Sequence, residues 1–220
     1  MHRRAVIFDM DGVLVDSYRA HLEAWQRLGA HLDRPITEEE FIPTFGRRNK
    51  EIFEVLWPQV PPHEHQRWGE WKEIEYRRII TTRFPSMDGA RELVDALKGA
   101  GFALAIGSSG PPENVDAALA GLGREEAFDA IVGSREVARG KPHPEVFLKA
   151  AEKLGVPPRR CAVVEDSLAG LEAAARAGMT PVALAGTFPR GPLAEKAALV
   201  VGSLRELSAA RLAELIDAHK

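Results

Sequence analysis

Apolar positions along the chain follow two rhythms. Short, wholly apolar runs of four or five residues recur at 5–8, 102–106, 161–164, 180–184 and 198–201. Runs of that length suit strands buried on both faces of a parallel sheet. Between them, helical spacing covers 88–98, 112–122, 144–154 and 168–177, and a last helix is expected over 207–219. Strands alternating with helices predict βαβ units, hence an α/β fold with a Rossmann-like, doubly wound parallel sheet.

The second rhythm occupies 17–85, where helical patterns follow one another at 17–32, 37–41, 49–56 and 63–82 with no strand between them. Trp25 lies in the first of these, Trp57, Trp68 and Trp71 lie in the second half, and Pro85 closes the stretch. The expected organisation is an all-helical cap domain, 17–85, inserted into a core domain made of 1–16 and 86–220. The two connections, 13–17 and 84–88, would form a two-stranded hinge. Pro61-Pro62 and Pro157-Pro158 mark turns before helices and need no functional account.

Composition changes this picture little. The 220 residues are 45% hydrophobic and 28% charged, enough for a substantial core. A formal net charge of -3 gives no reason to expect a nucleic-acid surface. No apolar run approaches the roughly 20 residues of a membrane span. The start, Met1-His2-Arg3-Arg4, meets the first apolar run and its acids at once and carries no signal-like stretch. A soluble, cytoplasmic protein without nucleic-acid or membrane partners is expected. No feature sets an oligomeric state, and a monomer is compatible with the sequence. The single cysteine, Cys161, sits in an apolar run and reads as a buried structural thiol.

Candidate chemistry gathers where apolar runs end. Asp9-Met10-Asp11-Gly12-Val13 follows the first run. Residues two apart on an extended segment share a face, so Asp9 and Asp11 can address one site beyond the carboxyl ends of the strands. Two like charges there call for a cation or a shared proton. Gly12 permits a sharp turn and close approach of a ligand. The second run leads into Gly107-Ser108-Ser109-Gly110 before a helix, where hydroxyls and free N–H groups suit a phosphate oxygen. Lys141 stands between Gly140 and Pro142, and a later run ends in Glu165-Asp166-Ser167. Each feature has a plainer reading: a solvated loop, a Ser-Gly turn, a surface lysine, a helix cap. Together, in order, they are the parts needed to handle a phosphoryl group and a hard cation. Magnesium takes few carboxylates, so Asp9 and Asp166 with a phosphate oxygen would suffice.

The ordered set Asp9-Met10-Asp11-Gly12-Val13, Ser108, Lys141-Pro142 and Glu165-Asp166 resembles the haloacid dehalogenase superfamily. More narrowly, it is similar to the branch of phosphatases and β-phosphoglucomutases with a helical cap after the first strand. Further matching text is Gly140-Lys141-Pro142-His143-Pro144-Glu145-Val146-Phe147 and Glu165-Asp166-Ser167-Leu168-Ala169-Gly170-Leu171-Glu172-Ala173-Ala174. The resemblance spans about 4–205. It implies that Asp9 attacks phosphorus to form an aspartyl-phosphate and that Asp11 acts as acid and then base. It further implies that Ser108 and Lys141, with Gly12 and Ser109 beside them, hold the phosphoryl oxygens. Mg2+ would be bound by the Asp9 carboxylate, the Asp11 carbonyl and Asp166, with Glu165 near or in the shell. The presence of Asp11 points to phosphate esters rather than haloacids as substrates.

Substrate choice is expected to lie in the insert. His21 and Trp25 share a helix face. His21, Trp25 and Lys72 stand where the cap of β-phosphoglucomutases carries matching residues, and Gly46 matches as well. Asn49 occupies the place of a cap arginine that grips the second phosphate in those mutases, with Arg47 and Arg48 adjacent. The alternatives are a helix-face histidine for His21, cap core for Trp25 and solvated cations for Arg47 and Arg48. His63 and His65 lack a completing ligand, so no metal site is expected there. The leading expectation is a phosphatase of small phosphorylated metabolites, sugar phosphates among the candidates, with a phosphosugar mutase as the alternative. A phospho-acceptor signalling domain fits less well, because its acceptor ends a middle strand and it has no large helical insert. A dinucleotide module fits worse, because no Gly-x-Gly-x-x-Gly opens the first helix.

Overall fold

The computed structural model describes residues 3–45 and 47–219. Chain contacts divide it into two units, one formed by Ser17–Phe84 and the other by the chain before Ser17 together with the chain from Pro85 onward. In chain order, β1 (Ala5–Phe8) precedes the first unit, which holds α1 (Tyr18–His31), α2 (Glu38–Phe41), α3 (Asn49–Leu56) and α4 (His65–Thr82). The second unit continues through α5 (Ala90–Gly99), β2 (Ala103–Gly107), α6 (Pro112–Leu122), β3 (Ala130–Val132), α7 (Glu145–Leu154) and β4 (Cys161–Glu165). It ends with α8 (Leu168–Arg176), β5 (Thr180–Leu184), α9 (Arg190–Ala194), β6 (Leu199–Val201) and α10 (Ala209–Ala218).

The strands form one parallel sheet in the order β3-β2-β1-β4-β5-β6. β1 is central, and its last residue, Phe8, lies level with Ile106 of β2 and Val164 of β4. Asp9, Gly107 and Glu165 therefore follow at one height on three adjacent strands. Alternation assigns the two faces. One face presents Ala5, Ile7, Ala103, Ala105, Cys161 and Val163 to Phe147, Ala150 and Ala151 of α7 and to Ala173 and Ala174 of α8. The small side chains let these helices approach closely, and each large apolar one adds about 1.5–3 kcal/mol of burial. The opposite face is contacted by α5 at β2 and by α10 at β4.

The fold class is α/β, as the alternation of apolar runs and helices predicts. Two elements escape that reading. β3 is a sixth strand with only three residues, too short to stand out from its surroundings. α9 is a five-residue helix containing Gly191 and Pro192, residues that ordinarily signal a loop. Helix starts also shift. α5 begins at Ala90, not at residue 88, because Gly89 caps it at φ 82°, outside the helical region. α4 begins at His65 because Pro62–Glu64 forms a separate 3-10 turn.

The helical unit has its own core of Leu22, Trp25, Leu28, Phe41, Phe53, Leu56 and Trp57. Trp25 stacks on Trp57 with ring centroids 5.6 Å apart and meets Phe53 edge-on. In the α/β unit, the two chain segments that flank the insert are joined to each other. The Asp16 N–H donates to the Pro85 carbonyl at 2.8 Å, the Met87 N–H donates to Leu14 at 3.0 Å, and Val15 bridges Ser86. No helix among the described residues is long and apolar enough to cross a membrane.

Candidate active site

Asp9 is the first residue beyond β1, and its N–H extends the ladder by donating to the Val164 carbonyl at 2.9 Å. The following loop is tight. The Met10 carbonyl receives the N–H groups of Leu14 and Val15, and Gly12 returns its own N–H to Val15. Gly12 has φ 77°, and a Cβ there would overlap the carboxylate of Asp166. Its glycine therefore serves two ends, a left-handed turn and room for an acid from another strand. Asp9 is buried, whereas Asp11, two residues on, is half-buried.

Lys141 approaches from the loop before α7. Its ammonium donates to Asp9 Oδ1 at 2.6 Å and to Glu165 Oε1 at 2.7 Å, and lies 4.8 Å from the centre of the Phe147 ring. The loop is pinned by Glu145 in the first turn of α7, which accepts the N–H groups of Ala138 and Arg139, both at 3.1 Å. Those backbone donors, with Lys149, hold the half-buried Glu145 carboxyl down at about 2. Glu145 appeared in the sequence only as part of a matching segment, since nothing in its spacing shows that it closes a loop.

Glu165 ends β4 and is 1% exposed. Its Oε2 accepts the Ser167 N–H at 2.6 Å while Oε1 accepts Lys141. The carboxylate thus lies against the start of α8, where Ser167 caps the helix by accepting the Gly170 N–H at 3.0 Å. A Cβ on Gly170 would collide with the Glu165 side chain, so this glycine makes the space the acid occupies. Asp166 is 5% exposed, and its Oδ2 accepts a hydrogen bond from the Thr187 hydroxyl, which lies in the loop after β5. Thr187 carries no motif and was not foreseen.

Ser108 follows β2 and is buried. Its hydroxyl oxygen accepts the Gly110 N–H at 3.0 Å, which leaves the O–H proton to donate elsewhere. Ser109 is exposed.

The electrostatics of this layer are unbalanced. Asp9, Glu165 and Asp166 offer oxygen atoms within 4.8 Å of one another, and Lys141 is the ammonium that pairs with two of them. Burial, reinforced by Glu165 and Asp11 against the pull of Lys141, pushes the Asp9 carboxyl up to about 7. Burial and the neighbouring Glu165 and Asp9 likewise raise Asp166 well above the carboxylate range, with Thr187 and Lys141 opposing. Burial would discharge Lys141, but Asp9 and Glu165 outweigh it and hold the ammonium charged. Three buried acids facing one cation suit a hard divalent ion, which prefers such all-oxygen donors. Elsewhere in the unit, burial pushes the free Cys161 thiol up to about 12, an inert structural side chain.

The insert residues singled out from the sequence form a cluster within the helical unit. Lys72 donates to His21 Nδ1 at 2.8 Å and to Glu73 Oε1 at 3.0 Å, and Asn49 Nδ2 donates to the same Glu73 oxygen at 2.8 Å. His21 stacks flat on Tyr76 at 4.0 Å, and the Lys72 ammonium lies 5.3 Å from the Trp25 ring. Trp25 belongs to the core of the unit, the plainer of its two sequence readings. Arg48 pairs with Glu51, and Arg47 is exposed. Gly46 lies outside the described residues. His65 Nε2 donates to the Val60 carbonyl at 2.9 Å and the ring stacks on Phe53, and His63 is exposed.

Comparison with known proteins identifies the arrangement. The family profile of haloacid dehalogenase-like hydrolases matches residues 3–178. The chain is 32% identical over 215 residues to hexitol phosphatase B of Escherichia coli, covering 93% of this chain and 94% of that one. It is equally 32% identical over 187 residues to a β-phosphoglucomutase of Bacillus subtilis, covering 81% and 82%. Among solved structures, a family IA, variant 3 hydrolase of Entamoeba histolytica superposes with a TM-score of 0.89 at 29% identity, covering 97% of this chain and 99% of that one.

Proposed function

This chain belongs to the haloacid dehalogenase-like hydrolase family, and we propose that within it the protein is a magnesium-dependent phosphatase of small phosphorylated metabolites, sugar phosphates among them, acting through Asp9. The observation that carries the reading is the contact of Lys141 with Asp9 inside a buried cluster of acids. A carboxylate at the end of the central strand faces a fixed cation, beside a hydroxyl with a proton to give.

The reaction proceeds in two displacements. A carboxylate oxygen of Asp9 forms a bond to phosphorus as the bond to the ester oxygen breaks, and Asp11 gives its proton to that leaving oxygen. Asp11, now ionised, takes a proton from water, whose oxygen attacks phosphorus and breaks the bond to Asp9, releasing inorganic phosphate. Lys141 and the Ser108 O–H contact the transferring oxygens and offset charge as it develops. Asp9, Asp166 and the Asp11 carbonyl would hold magnesium, which would supply further charge neutralisation at the phosphoryl oxygens. Glu165, with both oxygens engaged by Lys141 and Ser167, holds the lysine in place. Substrate choice is assigned to the helical unit and its His21, Lys72 and Asn49 cluster.

The mutase reading is supported by the equal identity to the Bacillus subtilis mutase. The two readings share every α/β residue and differ in whether water or a second substrate hydroxyl takes the phosphoryl group. Purified protein, magnesium and a panel of sugar and sugar-alcohol phosphates separate them. Release of inorganic phosphate is expected. Isomerisation of β-glucose 1-phosphate without release would replace this reading by the mutase. The Asp9→Asn variant is expected to fold and to lose turnover, and retained turnover would remove Asp9 as nucleophile.

A further inference from the structure

The oxygens of Asp166 are not equivalent. Oδ2 receives the Thr187 hydroxyl from the loop after β5, and the same oxygen is lodged over Gly12, where even a methyl group would overlap it. The position of that absent methyl group would also be 3.2 Å from Thr187 Oγ1, so the hydroxyl, the glycine backbone and the carboxylate close around one another. The carboxylate is 95% buried, which leaves it little freedom to rotate. Three separate chain segments therefore converge on one oxygen of an acid in the proposed cation cluster. The function just proposed makes no use of Thr187.

We propose that Thr187 is a positioning residue that makes Asp166 a one-oxygen ligand and thereby biases the cation site toward magnesium over calcium. The reason is geometric. Calcium accepts six to eight oxygens and readily takes both oxygens of a carboxylate, whereas magnesium demands near-octahedral geometry from fewer, single-oxygen donors. With Oδ2 bonded to a hydroxyl and lodged against Gly12, coordination through both oxygens of Asp166 is disfavoured. Partners that orient a ligand in this way commonly contribute about 10–100-fold in metal affinity. The inference rests on the reading of Asp9, Asp166 and the Asp11 carbonyl as a magnesium site, and it adds a residue and a selectivity to it.

The test needs no substrate. Chelator-treated protein is titrated calorimetrically with MgCl2 and, separately, with CaCl2, for the parent chain and for Thr187→Val, Thr187→Ala and Thr187→Ser. Far-UV circular dichroism checks the fold of each, and Thr187→Ala removes the hydroxyl without filling the notch should valine not fit. Loss of the hydroxyl is expected to weaken magnesium by about tenfold or more. Calcium should weaken less, so that the ratio of the two dissociation constants moves toward calcium by about tenfold. Thr187→Ser, which keeps the O–H, is expected to stay near the parent in both. A structural role for Thr187 would lower both affinities together and leave their ratio unchanged, and that result overturns the proposal. Equal ratios for the serine and valine variants overturn it too. A parent chain that binds no magnesium removes both this inference and the magnesium reading. A parent chain that binds magnesium yet releases no phosphate from any ester removes the catalytic reading alone.

Discussion

Each unit of this protein holds a buried lysine, and the two are set in opposite company. Lys72, in the helical unit, meets one carboxylate, a histidine and two aromatic rings, and its partner Glu73 is held by Asn49 as well. That cluster balances its own charge. Lys141, in the α/β unit, meets two carboxylates with a third close by, and burial, reinforced by the neighbouring acids, pushes Asp9 and Asp166 up. A buried network with its charges matched needs no further ion to complete it. One left with surplus charge of one sign is incomplete by itself and has room for a ligand of the other sign.

The contrast can be broken most sharply at the lysines' own positions. Replacing Lys141 by methionine should cut kcat by about 10²–10³, the usual loss for one donor at a developing charge, and by the same factor for every substrate. Gly170→Ala should come next. The new methyl group displaces Glu165, Lys141 loses one of its two anchors, and kcat should fall by about 10–100-fold while circular dichroism stays unchanged. Parent-like kinetics for this variant would detach Glu165 from the positioning of Lys141. Lys72→Met should cost about tenfold or less in kcat/KM, and unequally across a substrate panel, because it alters selectivity and leaves the shared chemistry in place. Uniform losses would move Lys72 out of substrate choice.

The smallest effect is thermal. Asp9 titrates near 7 in the folded chain against an ordinary 3.8, so the native state holds extra protons between those values. That contribution to stability is fully present below the ordinary value and is lost as pH rises through about 7. Metal-free protein should therefore melt lower at pH 8.5 than at pH 5.5. Magnesium should raise Tm more at the higher pH, by about 2–4 °C for each kcal/mol of binding free energy. A magnesium shift that is the same at both values would show that the acids do not titrate with the site.

The comparison also explains what could be read from sequence. The strands around the site were legible because their apolar runs are buried on both faces, as at 5–8 and 161–164. β3 was not, because its apolar run of three, Ala130-Ile131-Val132, is cut off by Asp129 and Gly133. Asp9, Asp11, Glu165 and Asp166 stood out as polar residues at the ends of apolar runs, and Lys141 by its place between Gly140 and Pro142. Thr187, Gly170 and Glu145 act through distance alone: a hydroxyl reaching an acid on a neighbouring strand, a missing methyl group, a carboxylate closing a loop. None of these leaves a mark in spacing or composition. The pairing of Lys72 with Glu73 and Asn49 was hidden for the same reason, since residues 49 and 73 come together only when α3 packs on α4.

The backbone bonds that tie Asp16 to Pro85 and Val15 to Ser86 carry one more consequence. They bring the departure and return of the insert to within a single hydrogen bond, so the α/β chain is already stitched across the gap. A tight turn of a few residues could bridge that seam, and a helical insert of different length or sequence could be grafted there without disturbing the ladder beneath. The ladder of the α/β unit is thus closed on its own, whatever length of chain is spliced in at that point.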